Sequence, residues 1–116
     1  MININERDRG NLERMLIHCR RIEDAKRRFG NTAETFSSDY DYQDVVNMNV
    51  FQLGEITNQL SDELKESIPE IPWHKIYGIR NIIAHAYVIV DSRTIWETIQ
   101  TDIPDFAKII RNYLSG

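Results

Sequence analysis

With Cys19 as the sole cysteine among 116 residues, the sequence excludes an intrachain disulfide and any zinc site built from cysteine pairs. It also lacks an apolar run near the roughly 20 residues that a membrane helix needs, and its opening MININERDRG carries no hydrophobic targeting core. A reducing cytoplasm and no membrane association are therefore expected. There is no glycine-rich phosphate loop and no nucleophile elbow. His18, His74 and His85 never fall at i, i+4 spacing and have no carboxylate at short range, so no metal site and no bound cofactor are expected. Internal repeats and low-complexity tracts are missing too. What remains is 41% hydrophobic with five tyrosines, four phenylalanines and two tryptophans, enough for one core and one domain over residues 1–116.

An excess of positive charge is absent as well, for the formal net charge is -4. That argues against coating nucleic acid by bulk electrostatics, which scales with the phosphates neutralised. The charge is uneven: residues 1–30 carry +3, residues 31–71 carry -8 and residues 72–116 carry +1. Arg20, Arg21, Lys26, Arg27 and Arg28 form the densest basic group, read either as a solvated helix face or as a place where a polyanion could rest.

Helical periodicity runs through the chain. Asn5 and Asp8 resemble a capping pair, and Leu12, Met15, Leu16, Cys19, Ile22 and Phe29 follow at steps of three and four until Gly30. The polar, Ser/Thr-rich stretch 31–41 reads as a loop. A second helix is expected from about Asp41 or Tyr42 to Leu64, apolar at Val46, Val50, Leu53, Leu60 and Leu64 and, on a neighbouring face, at Val45, Met48 and Ile56. Pro72 opens a third helix to about Ala84. Val88–Val90 reads as a buried connection. Asp91 or Ser92 caps a fourth helix through Gln100, and Pro104 opens or kinks a fifth to Leu114. Such helices with short connections describe an all-α, antiparallel bundle of four to five helices.

The third helix carries the chemistry. In WHKIYGIRNIIAHAY, at about 100 degrees per residue, Ile76, Ile79 and Ile83 share one face. Tyr77, Arg80, Asn81, Ala84 and His85 share another, with His74 nearby. An exposed helix uses Lys and Glu for solubility, and this arc does not. Gly78, costly inside a helix, suggests close approach of another backbone. Arginine presents a charged planar fork that fits phosphate, and histidine exchanges a proton near neutral pH. Together they suffice for RNA cleavage without a metal: a base activates the ribose 2′-OH, and a cation stabilises the charge gathering on phosphorus. Strict helical geometry splays Arg80 and His85 by about 140 degrees, so arginine's length or a helix end at Ala84 must bring them together. A purely structural pair, with Arg80 at a helix terminus and His85 at an interface, fits the spacing too. Glu55 either meets Arg80 across the bundle or is an ordinary exposed carboxylate, and Trp73 and Trp96 read as core or interface aromatics.

Arg80-Asn81-x-x-x-His85-x-Tyr87 resembles the Arg-x4-His-x-Tyr motif of the HEPN superfamily, in particular the HepT-like toxins encoded beside MNT nucleotidyltransferase antitoxins. FQLGEITNQLSDEL at 51–64, IPWHKIYGIRNIIAHAY at 71–87 and VDSRTIWETIQTDIPDF at 90–106 repeat the family's character in its order. The resemblance implies a homodimer whose two motifs face one cleft, acting as a metal-independent endoribonuclease. Carried over by position, Arg80 stabilises phosphate charge, His85 is the general acid or base, and Asn81 orients one of them or holds the RNA backbone. Tyr87 matches the tyrosine that receives AMP from the antitoxin in part of the family. Tyr77 and His74 are weaker substrate-binding candidates. The alternative implied by the same resemblance is a non-catalytic HEPN scaffold for the nucleotidyltransferase.

Overall fold

The computed structural model describes residues 4–86 and 91–116, and among them it is all-helical. The first helix, α1 (Glu6–Phe29), begins as its sequence indicates: the Asn5 side chain accepts from the Asp8 N–H and donates to the Asp8 carboxylate. It ends at Gly30, whose φ of +121° only glycine adopts without strain. Leu12, Met15, Cys19 and Ile22 are buried along one stripe of α1.

Residues 31–41 are not a plain loop. Thr32 caps a short helix, α2 (Ala33–Ser38), whose Phe36 is buried against Tyr42 and Trp96. One apolar anchor in six residues leaves no periodicity to read in a sequence. Asp39 caps α3 (Tyr40–Thr57), and its Val46, Val50, Leu53 and Ile56 form the centre of the core.

The expected second helix is shorter than its apolar pattern. It stops at Thr57, and α4 (Asp62–Ser67) starts anew at the Ser61 cap. Asp8 fixes this break, being buried and accepting from both the Ser61 N–H at 3.0 Å and the Ser61 hydroxyl at 2.6 Å. Leu60 and Leu64 stay buried on either side of the turn.

After Pro72 comes α5 (Trp73–Ala86), two residues longer than expected. Its Ile76, Ile79 and Ile83 pack against α3. The α5 start is held by Trp73, whose indole N–H donates to the Lys65 carbonyl and whose ring meets Phe106 edge-on. The expected connection Val88–Val90 lies outside the described residues.

The last two expected helices are one continuous rod. α6 (Ser92–Glu97) passes through a π-helical turn (Thr98–Asp102) into α7 (Ile103–Ser115). Pro104 has no N–H for the fourth carbonyl back, and the wider turn accommodates it. The Ile103 N–H then donates to Thr98 rather than Ile99. The freed Ile99 carbonyl accepts instead from Lys26, buried in α1, at 2.6 Å, and Glu23 pairs the same ammonium at 2.8 Å. His18 is also occupied by packing, with Nδ1 at 2.8 Å from the Asn49 side chain. Among the described residues no helix is long and apolar enough to cross a membrane.

Candidate active site

The antiparallel packing of α3 and α5 places Arg80 over the last turn of α3. The two helices touch at Gly54: a Cβ there would lie 2.2 Å from the Arg80 Cβ and 2.8 Å from its Cγ. Gly54, not Gly78, is therefore the glycine that close packing requires. Beside Gly78 an added Cβ would meet nothing within 4 Å, so the expected backbone approach there is absent among the described residues.

From that crossing the Arg80 side chain runs into a cradle made by both helices. Its Nε pairs with the Glu55 carboxylate and its Nη1 donates to the Asn81 side-chain oxygen at 2.8 Å. The guanidinium carbon sits 5.1 Å from the centre of the Phe51 ring and 5.6 Å from that of Tyr77. The ring faces favour the cation, and with Glu55 they fix the plane of the fork. The Arg80 side chain remains 23% exposed.

His85 is exposed one and a half turns further along α5. Because α5 continues to Ala86, a helix end at Ala84 does not bring the two groups together. They stand about 140 degrees apart around the axis and about 7.5 Å apart along it. Ala84, between them, is also exposed. His74 is not part of the cluster: it is exposed at the other end of α5, eleven residues and about 16 Å of helix from His85. Tyr87 lies outside the described residues.

Thus the structure joins Arg80, Asn81 and Tyr77, adds Glu55 and Phe51 from α3, and leaves His85 nearby on the same rod. Phe51 and Glu55 are i, i+4 on one helix face, so their pairing with a common partner was readable in principle from FQLGE. No group of three or more His, Cys, Asp or Glu residues among those described is arranged to hold a metal ion.

A family model described as Ribonuclease HepT-like matches residues 18–113. A Methanocaldococcus jannaschii protein named "Putative RNase MJ1380" is 26% identical over 87 residues, covering 67% of this chain and 80% of its own. "Putative RNase MJ0125" of the same organism is 30% identical over 90 residues, covering 66% and 78%. "Probable ribonuclease HepT" of Thermococcus cleftensis is 38% identical over 52 residues, covering 45% and 47%. No solved structure matches the chain.

Proposed function

The chain belongs to the HepT-like ribonuclease family, and from that premise we propose that it is an endoribonuclease acting by metal-independent transesterification at the α3–α5 crossing. The observation that carries this is the Arg80 fork, held in one plane by Glu55, Asn81, Phe51 and Tyr77 on a side chain that is still 23% exposed. A base, for which His85 is the candidate, removes the 2′-OH proton. The oxygen attacks phosphorus and the bond to the 5′-oxygen breaks, with a proton returned to that leaving oxygen. Arg80 stabilises the added charge on the non-bridging oxygens. The products are a 2′,3′-cyclic phosphate and a 5′-hydroxyl.

The separation of Arg80 and His85 around α5 supports a dimer, in which one copy's histidine and the other's arginine approach the same phosphate. Met48, Ile82 and Val45 support it too, being 59%, 49% and 39% exposed on the two helices that carry the site. A twofold pairing through these faces covers them and uses the open space beside Gly78. The family setting supports a toxin role, neutralised by a nucleotidyltransferase that attaches AMP at Tyr87. AMP there would bring a phosphate into competition for Arg80.

The test is cleavage of a defined RNA. Arg80→Ala and His85→Ala each lower the rate by about 100-fold or more, with light scattering still reporting twice 13.7 kDa. Cleavage persists in EDTA and is lost on a 2′-deoxy substrate. Cleavage of the deoxy strand or dependence on a divalent ion overturns the mechanism. One observation favours the scaffold reading, namely that Glu55 already neutralises Arg80; a folded dimer that cuts no RNA would establish it.

A further inference from the structure

Of the basic group in α1, three members are already committed. Lys26 is buried on the Ile99 carbonyl, Arg27 pairs with Asp24, and the Arg28 guanidinium carbon lies 5.4 Å from the centre of the Phe29 ring. Arg20 and Arg21 are left, and Arg20 lines an open groove of about 400 Å³ between α1 and α7. Buried Cys19 and Ala107 form part of its floor, and Arg20, Arg27 and Arg111, all exposed, stand at its edges with Glu23.

The carboxylates three and four residues from Arg20, Glu23 and Asp24, are taken by Lys26 and Arg27. Arg111 has no carboxylate three or four residues away on α7. Neither Arg20 nor Arg111 forms an ion pair among the described residues. Both nevertheless belong to one end of the groove, since the Arg111 charge acts on the Cys19 thiol, whose chain neighbour is Arg20. Two like charges that share a groove without a counter-charge favour an anion between them.

α1 packs on α3 and on α7, and α3 packs on α5, so this groove lies across the bundle from Arg80. The dimer proposed above covers faces of α3 and α5 and leaves it open. We propose that the groove is a second seat for RNA, where Arg20 and Arg111 hold backbone phosphates of the substrate strand away from the scissile bond. The proposal rests on the ribonuclease reading above and adds how the substrate is held. RNA is the polyanion on which a ribonuclease family acts, and most of this chain repels it. Residues 31–71, which include all of α3, carry -8, so a long strand gains little from the surface beside Arg80. The sign reverses at α1, and guanidinium forks match pairs of phosphate oxygens. Contacts of this kind carry no sequence information, so they strengthen binding alike for every sequence.

The experiment compares wild type with the double variant Arg20→Gln, Arg111→Gln on two RNAs. One covers only the cleavage site, and the other extends it by enough chain to pass round a bundle 28 Å across. On the long RNA the variant should raise KM by about fivefold or more with kcat unchanged, and on the short RNA it should change neither. Fluorescence anisotropy with the long strand in non-cleavable 2′-O-methyl form should show weaker binding and a slope against log salt that is flatter by about one to two. Arg7→Gln with Arg9→Gln, exposed at the other end of α1, removes the same charge and should leave all of this unchanged.

Weaker binding by the double variant, with no cleavage of any RNA by either protein, would sustain the groove and sink the ribonuclease reading. Cleavage and binding that the double variant leaves intact would do the reverse. An equal loss on short and long RNA, or an equal loss in the control pair, overturns the remote seat. Displacement of the strand by polyglutamate at matched charge overturns RNA as its occupant and makes the groove a seat for an acidic protein surface.

Discussion

Gly54 and Arg80 occupy one another's space: the arginine Cβ lies where any side chain at residue 54 would begin. The atoms in the way are the first of the Arg80 side chain and the Ile76 carbonyl, 3.4 Å off, which move only with the α5 backbone. Gly54→Ala should therefore push the helices apart, destabilising the fold by about 1–3 kcal/mol and displacing Arg80 from Glu55. A lower urea midpoint together with RNA cleavage reduced beyond the loss of folded protein checks this. A midpoint like wild type would show that the crossing yields more easily than its geometry indicates.

Glu55 holds Arg80, and under the proposed mechanism it competes with substrate phosphate for it. Removing the carboxylate in Glu55→Ala frees the charge but loosens the fork, and small misplacements of a catalytic group cost rate steeply. The expected outcome is kcat lowered by about tenfold or more with KM no higher than in the wild type. A raised KM at constant kcat would assign Glu55 a role in substrate binding instead.

Lys26 fills the acceptor that the π turn frees, so Lys26→Met leaves the Ile99 carbonyl buried and unpaired. Unfolding free energy should fall by about 1–3 kcal/mol. Replacing Pro104 as well, by Ala, should recover part of that loss, because the turn can then revert to ordinary helical bonding. Thermal unfolding of the two single variants and the double one, read as a cycle, measures the coupling.

Alkaline pH should weaken the fold. Burial pushes the Cys19 thiol up to about 12 from an ordinary value near 9, with Arg111 opposing and Glu23 assisting. Burial, with Glu23 again, also raises Tyr42. A group whose pKa is higher when folded gives stability that is complete below its unfolded value and lost as pH climbs toward its folded one. Urea midpoints should thus decline from about pH 9 toward pH 12. Cys19→Ala should flatten part of that decline, and iodoacetamide at pH 8 should label Cys19 only after unfolding.

The buried Tyr42 hydroxyl has no hydrogen-bond partner among the described residues, although its ring stacks on Phe29 with centroids 5.0 Å apart. Tyr42→Phe keeps the ring and removes the orphaned group, so stability should be unchanged or higher by up to about 1 kcal/mol. A clear loss on differential scanning calorimetry would mean that the hydroxyl is satisfied in solution.

The long elements were legible in the sequence because each buries a stripe that repeats every three or four residues. Leu12, Met15 and Ile22 betray α1 in this way, and Ile76, Ile79 and Ile83 betray α5. The joining of Arg80 and Asn81 was legible as well, since both fall on one arc of α5 whose residue types are wrong for plain solvated surface. What escaped was whatever depends on two distant segments meeting. Gly54 looks like any glycine until Arg80 is laid over it. The break after Thr57 requires Asp8, which binds Ser61 across 53 positions of the chain, whereas the apolar spacing of Leu60 and Leu64 carries on unbroken across it.

The bond from Lys26 to the Ile99 carbonyl spans 73 positions of sequence. As the chain leaves a ribosome, its first helix is complete long before that carbonyl exists, and so is most of the α3–α5 pair that carries Arg80. Until residue 99 and the helix beyond it are made, the Lys26 ammonium has Glu23 but no backbone acceptor, and the α1 flank that will receive α7 stays wet. Closure of the bundle is thereby deferred until α6 and α7 exist, when one long loop is drawn shut. A nascent or truncated chain stopping before residue 99 would carry the motif on an unsealed scaffold.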